Sequence, residues 1–122
     1  MNKKILLVDD EVEFASTLAE RLNIREIDTK VATDGEAALQ IMESDPRDIV
    51  LLDLKMPGLD GLEVLKLIKG KHPSVQVIIL TGHGSTREGI EGMRLGAFDY
   101  LMKPINIEEL IKKLEDAGKP SR

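Results

Sequence analysis

Residues 47–58 read RDIVLLDLKMPG. Ile49, Val50, Leu51 and Leu52 are apolar on consecutive positions, without a polar alternation, so they predict a strand buried on both faces, as in a parallel sheet. The run leads straight into a carboxylate at Asp53, and the turn-forming pair Pro57-Gly58 follows. A buried charge is costly unless it is paired or bound to a cation. Asp53 therefore either stops the strand at the surface or stands there for chemistry.

The same apolar signature recurs at Ile5–Val8 and at Val75–Leu80, with weaker strand candidates at Thr29–Ala32 and Phe98–Met102. Helical spacing lies between them. Phe14, Leu18 and Leu22 recur on one face, as do Leu62, Leu65 and Ile68, and Ile107, Leu110, Ile111 and Leu114 form an amphipathic stripe. Thr33 with Glu36, and Ser85 with Glu88, have the spacing of capping boxes ahead of two more helices, and Asp60 suits the cap of the third. Strand and helix thus alternate five times, which predicts an α/β fold with a doubly wound parallel sheet, helices on both faces and right-handed crossovers.

With 122 residues the chain fits one domain, placed at 3–116, with 117–122 as a frayed tail or the start of a linker. Aromatic residues make up 2% of the chain, so Leu, Ile, Val, Ala and Met must build the core, and stacking on nucleic-acid bases is disfavoured. A net charge of −5 points the same way: no direct nucleic-acid partner and no anionic membrane surface. The absence of cysteine excludes disulfides, zinc–thiolate sites and a thiol nucleophile. The first apolar run is too short for a signal peptide or a membrane span, so a soluble, cytoplasmic protein is expected.

In such sheets ligands bind beyond the carboxyl ends of the strands. The first predicted strand ends in Asp9-Asp10-Glu11, the third in Asp53, the fourth in Thr81-Gly82 and the fifth in Lys103-Pro104. Converging carboxylates raise one another's pKa unless a cation sits among them, and hard oxygen donors without Cys or His favour Mg2+. A metal-held aspartate can attack phosphorus to give an acyl phosphate. Asp53 is the best nucleophile because it stands alone on the central strand, whereas Asp9 and Asp10 suit metal binding. Lys103 offers a compact positive charge to the equatorial oxygens and Thr81 a hydroxyl donor.

The motifs LLVDDE (6–11), DLKMPGLDGLEVL (53–65), ILTGHGS (79–85) and GAFDYLMKP (96–104) resemble the receiver domain of two-component response regulators, in that family's order and over roughly Lys3 to Leu114. The resemblance implies a flavodoxin-like five-stranded sheet of order 2-1-3-4-5. It implies that Asp53 accepts a phosphoryl group from a phosphohistidine of a sensor histidine kinase or a phosphotransfer protein. Asp10, Asp53 and the Lys55 backbone carbonyl would hold Mg2+, with Asp9 acting through a bound water. Lys103 would pair with the phosphoryl group and precede a cis peptide bond to Pro104. Thr81 would turn inward while Tyr100 changes rotamer, biasing the surface of the fourth helix, fifth strand and fifth helix toward a downstream effector, with a phosphorylation-linked dimer as one outcome. Such a domain is a phosphoacceptor that assists its own chemistry, not an enzyme acting on a separate substrate.

The resemblance further implies that Lys55 and His83, each two residues beyond a site residue, control water access and so the lifetime of the acyl phosphate; His83 reads equally well as an exposed loop histidine. Gly89 and Gly92 each cost about 1 kcal/mol of helix propensity, so the fourth helix reads as marginal and mobile, unless the glycines serve close packing. Three rival readings are a Mg2+-dependent phosphatase of the haloacid dehalogenase type with Glu11 as its acid/base, a nucleotide or flavin module, and a degenerate receiver that only docks proteins. The second lacks a glycine-rich phosphate loop after the first strand, where Asp9-Asp10-Glu11 stands instead. Met1 reads as a true start, and the chain reads either as a stand-alone protein or as a piece of a longer one in which Arg122 stands just before an effector.

Overall fold

The computed structural model describes residues 2–82 and 86–120. In chain order the elements are β1 (Ile5–Val8), α1 (Val12–Ile24), β2 (Thr29–Ala32), α2 (Gly35–Ser44), β3 (Ile49–Asp53), α3 (Gly61–Lys71), β4 (Gln76–Thr81), α4 (Thr86–Arg94), β5 (Asp99–Met102) and α5 (Ile107–Ala117). The strands form one sheet of order β2-β1-β3-β4-β5 and every pairing is parallel. The doubly wound order expected from the resemblance is therefore the order found.

Alternation along each strand divides the core in two. Ile5, Leu7, Ile49, Leu51, Ile78 and Leu80 face one layer with Ala15, Leu18 and Leu22 of α1 and Leu110 and Leu114 of α5. Leu6, Val8, Val50, Leu52, Val77 and Ile79 face the other with Ala38 and Met42 of α2 and Val64, Leu65 and Ile68 of α3. Both faces of the central strands are covered, which is why their sequences do not alternate.

Several boundaries move by a residue. Asp53 and Thr81 belong to β3 and β4, while Val75 and Phe98 lie just ahead of β4 and β5. Ala117 closes α5 with its side chain in the core because it continues the Leu110–Leu114 stripe, so the tail proper begins at Gly118. Asp34, not Thr33, caps α2, accepting from the Ala37 N–H at 2.8 Å. That is a correction of the Thr33–Glu36 box, and its cause is that the helix starts at Gly35. Asp60 caps α3 as expected, accepting from Leu62 N–H at 3.2 Å. Ser85, His83, Met1 and Arg122 lie outside the described residues.

The two glycines of α4 separate. A methyl group on Gly92 would overlap the Ile79 side chain and approach Leu65 Cδ2 at 3.7 Å, so Gly92 lets α4 lie close on β4. At Gly89 the nearest atom would be Thr81 Cγ2 at an ordinary 3.7 Å. Close packing thus accounts for Gly92, and only Gly89 is a helix-weakening residue without that reason.

At the opposite end of the sheet from Asp53 the Arg47 side chain is 1% exposed. Its Nε donates to Ile5 O at 3.1 Å, Nη1 to Asp45 Oδ2 at 2.9 Å, and Nη2 to Asp28 O and Oδ1 at 3.0 and 2.7 Å. One guanidinium therefore ties β1, the approach to β2 and the approach to β3.

Candidate functional site

Register assembles the site. Val8 pairs with Leu52 across β1 and β3, so Asp9, the next residue, arrives beside Asp53. Asp53 pairs with Leu80, so Thr81 stands one step beyond it on β4. Thr81 pairs with Met102, and Lys103 follows, its N–H donating to Thr81 O at 2.7 Å. The peptide bond from Lys103 to Pro104 is cis, as the resemblance implies.

Asp9 and Asp53 are buried and Asp10 is half-buried, and each offers a carboxylate oxygen within 4.8 Å of the others. Asp9 Oδ1 accepts from the Glu11 N–H at 2.9 Å, and Asp53 Oδ1 accepts from the Lys55 N–H at 3.1 Å. Lys103 Nζ lies 2.8 Å from Asp9 Oδ2 and 3.7 Å from Asp53 Oδ2. The first ion pair is the only polar partner of the buried Asp9 Oδ2 among the described residues. Three carboxylates offering oxygen donors within 4.8 Å of one another fit a hard divalent cation.

The electrostatics follow from this crowding. Burial pushes the Asp53 carboxyl up from 3.8 to about 6; the Lys55 N–H pulls it down, Asp9 pushes it further up, Lys103 pulls it down and Asp10 pushes it up. Burial by itself would lower Lys103, but Asp9, Glu11 and Asp53 outweigh it and hold the ammonium up at about 12. Lys103 is a fixed positive charge, and Asp53 is a carboxylate poised to gain a partner.

Thr81 is buried, and its hydroxyl donates to Leu101 O at 3.4 Å, not to the acidic cluster. Tyr100 is 48% exposed on β5 and lines, with Thr81, Gly89, Ile90, Met93 and Met102, a cavity of about 410 Å³ between α4 and β5. The structure thus brings Asp9, Asp10, Asp53 and Lys103 together and leaves Thr81 and Tyr100 on the neighbouring layer. Gly58, with φ +85°, makes the turn after β3 in a conformation that favours glycine.

Two contacts of Lys103 escaped the sequence reading, which placed Glu11 at the strand end only with the acidic pair or as the acid/base of a phosphatase. Glu11 Oε1 lies 2.6 Å from Lys103 Nζ, and the Phe14 ring centroid lies 4.5 Å from the same nitrogen. Phe14 read only as a core residue. The available signal was Glu11 itself, a glutamate at the N-cap where Ser, Thr, Asp or Asn is preferred.

The family model described as "Response regulator receiver domain" matches residues 5–115. The chain belongs to the response regulator receiver family. Its relatives include the transcriptional regulatory protein CpxR of Escherichia coli, 43% identical over 111 residues, which are 91% of this chain and 47% of CpxR. The response regulator MprA of Mycobacterium tuberculosis is 37% identical over 114 residues, 93% of this chain and 50% of MprA. The chain spans about half the length of these curated relatives. Among solved structures, the receiver domain of NtrX from Brucella abortus superposes with a TM-score of 0.92 at 35% identity, covering 97% of this chain and all of that one. It is a receiver domain of two-component signalling, and among the described residues no helix is long and apolar enough to cross a membrane.

Proposed function

We propose that this receiver works in the cytoplasm and takes a phosphoryl group on Asp53 from the phosphohistidine of a sensor histidine kinase or phosphotransfer protein. The carrying observation is Asp53 at the end of the central strand, buried, with Lys103 at 3.7 Å and two further aspartates in reach. In the transfer a carboxylate oxygen of Asp53 forms a bond to phosphorus. The P–N bond of the donor breaks, and its electron pair stays on the imidazole, which leaves and takes up a proton. Asp10, Asp53 and the Lys55 carbonyl would hold Mg2+, with Asp9 acting through water; when bound, that ion supplies charge neutralisation for the transferring oxygens. Lys103 supplies the remaining fixed charge from the β5 side.

Nothing in this scheme turns over a separate substrate, so the domain serves as a phosphoacceptor that assists its own phosphorylation and dephosphorylation. The phosphatase alternative wants an acid two residues after the nucleophile, where Lys55 stands, and its remaining candidate, Glu11, lies against Lys103 at 2.6 Å. Downstream, Thr81 would leave Leu101 O for a phosphoryl oxygen, and Tyr100 would turn into the cavity beside it, altering the α4–β5–α5 surface for an effector or for a second copy.

The test is intact-protein mass after incubation with acetyl phosphate, with and without Mg2+, for wild type and Asp53→Asn. One acid-stable, base-labile phosphoryl group that requires the metal and disappears in the variant is the expected result. No adduct, together with no response to beryllofluoride, would leave a docking module.

A further inference from the structure

We infer that Glu11 is a latch on Lys103: a positioning residue that holds the ammonium over the first turn of α1 and competes with the phosphoryl group on Asp53 for it. The inference rests on the phosphoacceptor role proposed above and adds a residue to it.

The geometry is specific. Of the carboxylates around Lys103 Nζ, Glu11 is nearest at 2.6 Å, Asp9 lies at 2.8 Å and Asp53 is farthest at 3.7 Å. The Phe14 ring, at 4.5 Å from Nζ, supports the cation from the same turn of α1. Glu11 occupies the N-cap of that helix and makes no side-chain capping bond. A capping Ser or Asp there would satisfy an open backbone N–H; Glu11 leaves that bond unmade and directs its carboxylate to Lys103 instead. Its own backbone N–H is bound to Asp9 Oδ1 at 2.9 Å, which fixes the point from which the side chain reaches out.

The consequence concerns what Lys103 must do. To meet an oxyanion on Asp53 it has to move toward the partner it contacts least, out of a closer contact with Glu11. Glu11 is 63% exposed, so its hold is of the strength of a surface pair and can be broken. An exposed pair of that kind corresponds to about a two- to fivefold effect on a competing equilibrium. Lys103 is thereby kept in the site without being committed to Asp53 before a phosphoryl group arrives.

Beryllofluoride, an analogue of the phosphoryl group, tests this directly. Its affinity would be measured by calorimetry at saturating Mg2+ for wild type, Glu11→Gln and Glu11→Asp, with thermal melts to confirm folding. Aspartate keeps the charge but is one methylene short of Lys103. A latch predicts that both variants bind about two- to fivefold tighter than wild type. If only Glu11→Gln tightens and Glu11→Asp matches wild type, charge near the site acts without the contact, and the latch is overturned. Unchanged affinity in both variants overturns it as well. Wild-type protein that shows no Mg2+-dependent binding would instead overturn the phosphoacceptor role, and the latch with it.

Discussion

Asp53→Asn should make the metal-free protein more stable near neutral pH, and the gain should vanish in acid. In the unfolded chain this carboxyl ionises near 3.8; in the fold, burial and the neighbouring aspartates hold its proton up to about 6. Between those values the folded state binds the extra proton, so stability falls as pH rises across the window. The full deficit is present above the folded value and absent below the unfolded one. A displacement from 3.8 to about 6 corresponds to about 3 kcal/mol. The Asp53 side chain is 8% exposed, so solvent screening removes little of this, and the attraction to Lys103 is already contained in the folded value. About 3 kcal/mol is therefore a ceiling, on the order of 10 °C in melting temperature for a domain of this size. Urea and thermal denaturation in the presence of a chelator, from about pH 4 to pH 7, would measure it. A variant no more stable than wild type at neutral pH, or a gap that stays constant into acid, would refute the reasoning. Adding Mg2+ should close the gap from the wild-type side.

Other expectations follow from single contacts. Arg47→Ala should cost about 3 kcal/mol or more in urea denaturation, because it strips donors from two backbone carbonyls and a cation from two carboxylates; a loss below about 1 kcal/mol would show the clamp to be dispensable. Gly92→Ala should destabilise by about 1–3 kcal/mol through overlap with Ile79, whereas Gly89→Ala should be neutral or stabilising by up to about 1 kcal/mol; equal effects would contradict the packing described for α4. Lys103→Met removes a cation that lowers the Asp53 pKa, so carboxylate titration by carbon NMR should find Asp53 holding its proton to higher pH than in wild type. Thr81→Ala should still accept beryllofluoride but lose most of the chemical-shift change at Tyr100 and α4; an undiminished change would remove Thr81 from the coupling.

Much of the fold was legible because the strands that matter are buried on both faces. Ile5–Val8 and Ile49–Leu52 have no alternative on the surface, and both were bounded correctly except for the added Asp53. The caps were less secure: Thr33 and Asp34 both qualify by residue type, and the start of α2 at Gly35 decides between them. The convergence of Asp9, Asp10, Asp53 and Lys103 was legible from strand ends alone, since a parallel sheet places all those ends on one edge. The contacts of Glu11 and Phe14 with Lys103 were not. Their role depends on where a flexible lysine just after β5 comes to rest against the start of α1, across 92 positions of sequence for Glu11, and neither local pattern nor residue type reports that distance.

The contact at Thr81 suggests why such a site can act as a switch and not only as a sink. A hydroxyl-to-carbonyl distance of 3.4 Å is at the outer limit of a hydrogen bond, so the Thr81 bond to Leu101 O is worth less than the usual ~1 kcal/mol. A bond from the same hydroxyl to a charged phosphoryl oxygen would be worth about 1.5–3 kcal/mol. The difference, on the order of 1–2 kcal/mol, shifts a two-state equilibrium by roughly 5- to 30-fold. That is enough to invert a modest preference for one arrangement of β5 and α4, and too little to lock it. In the proposed mechanism the weak bond in the resting structure is thus as much a part of the switch as the strong one that would replace it.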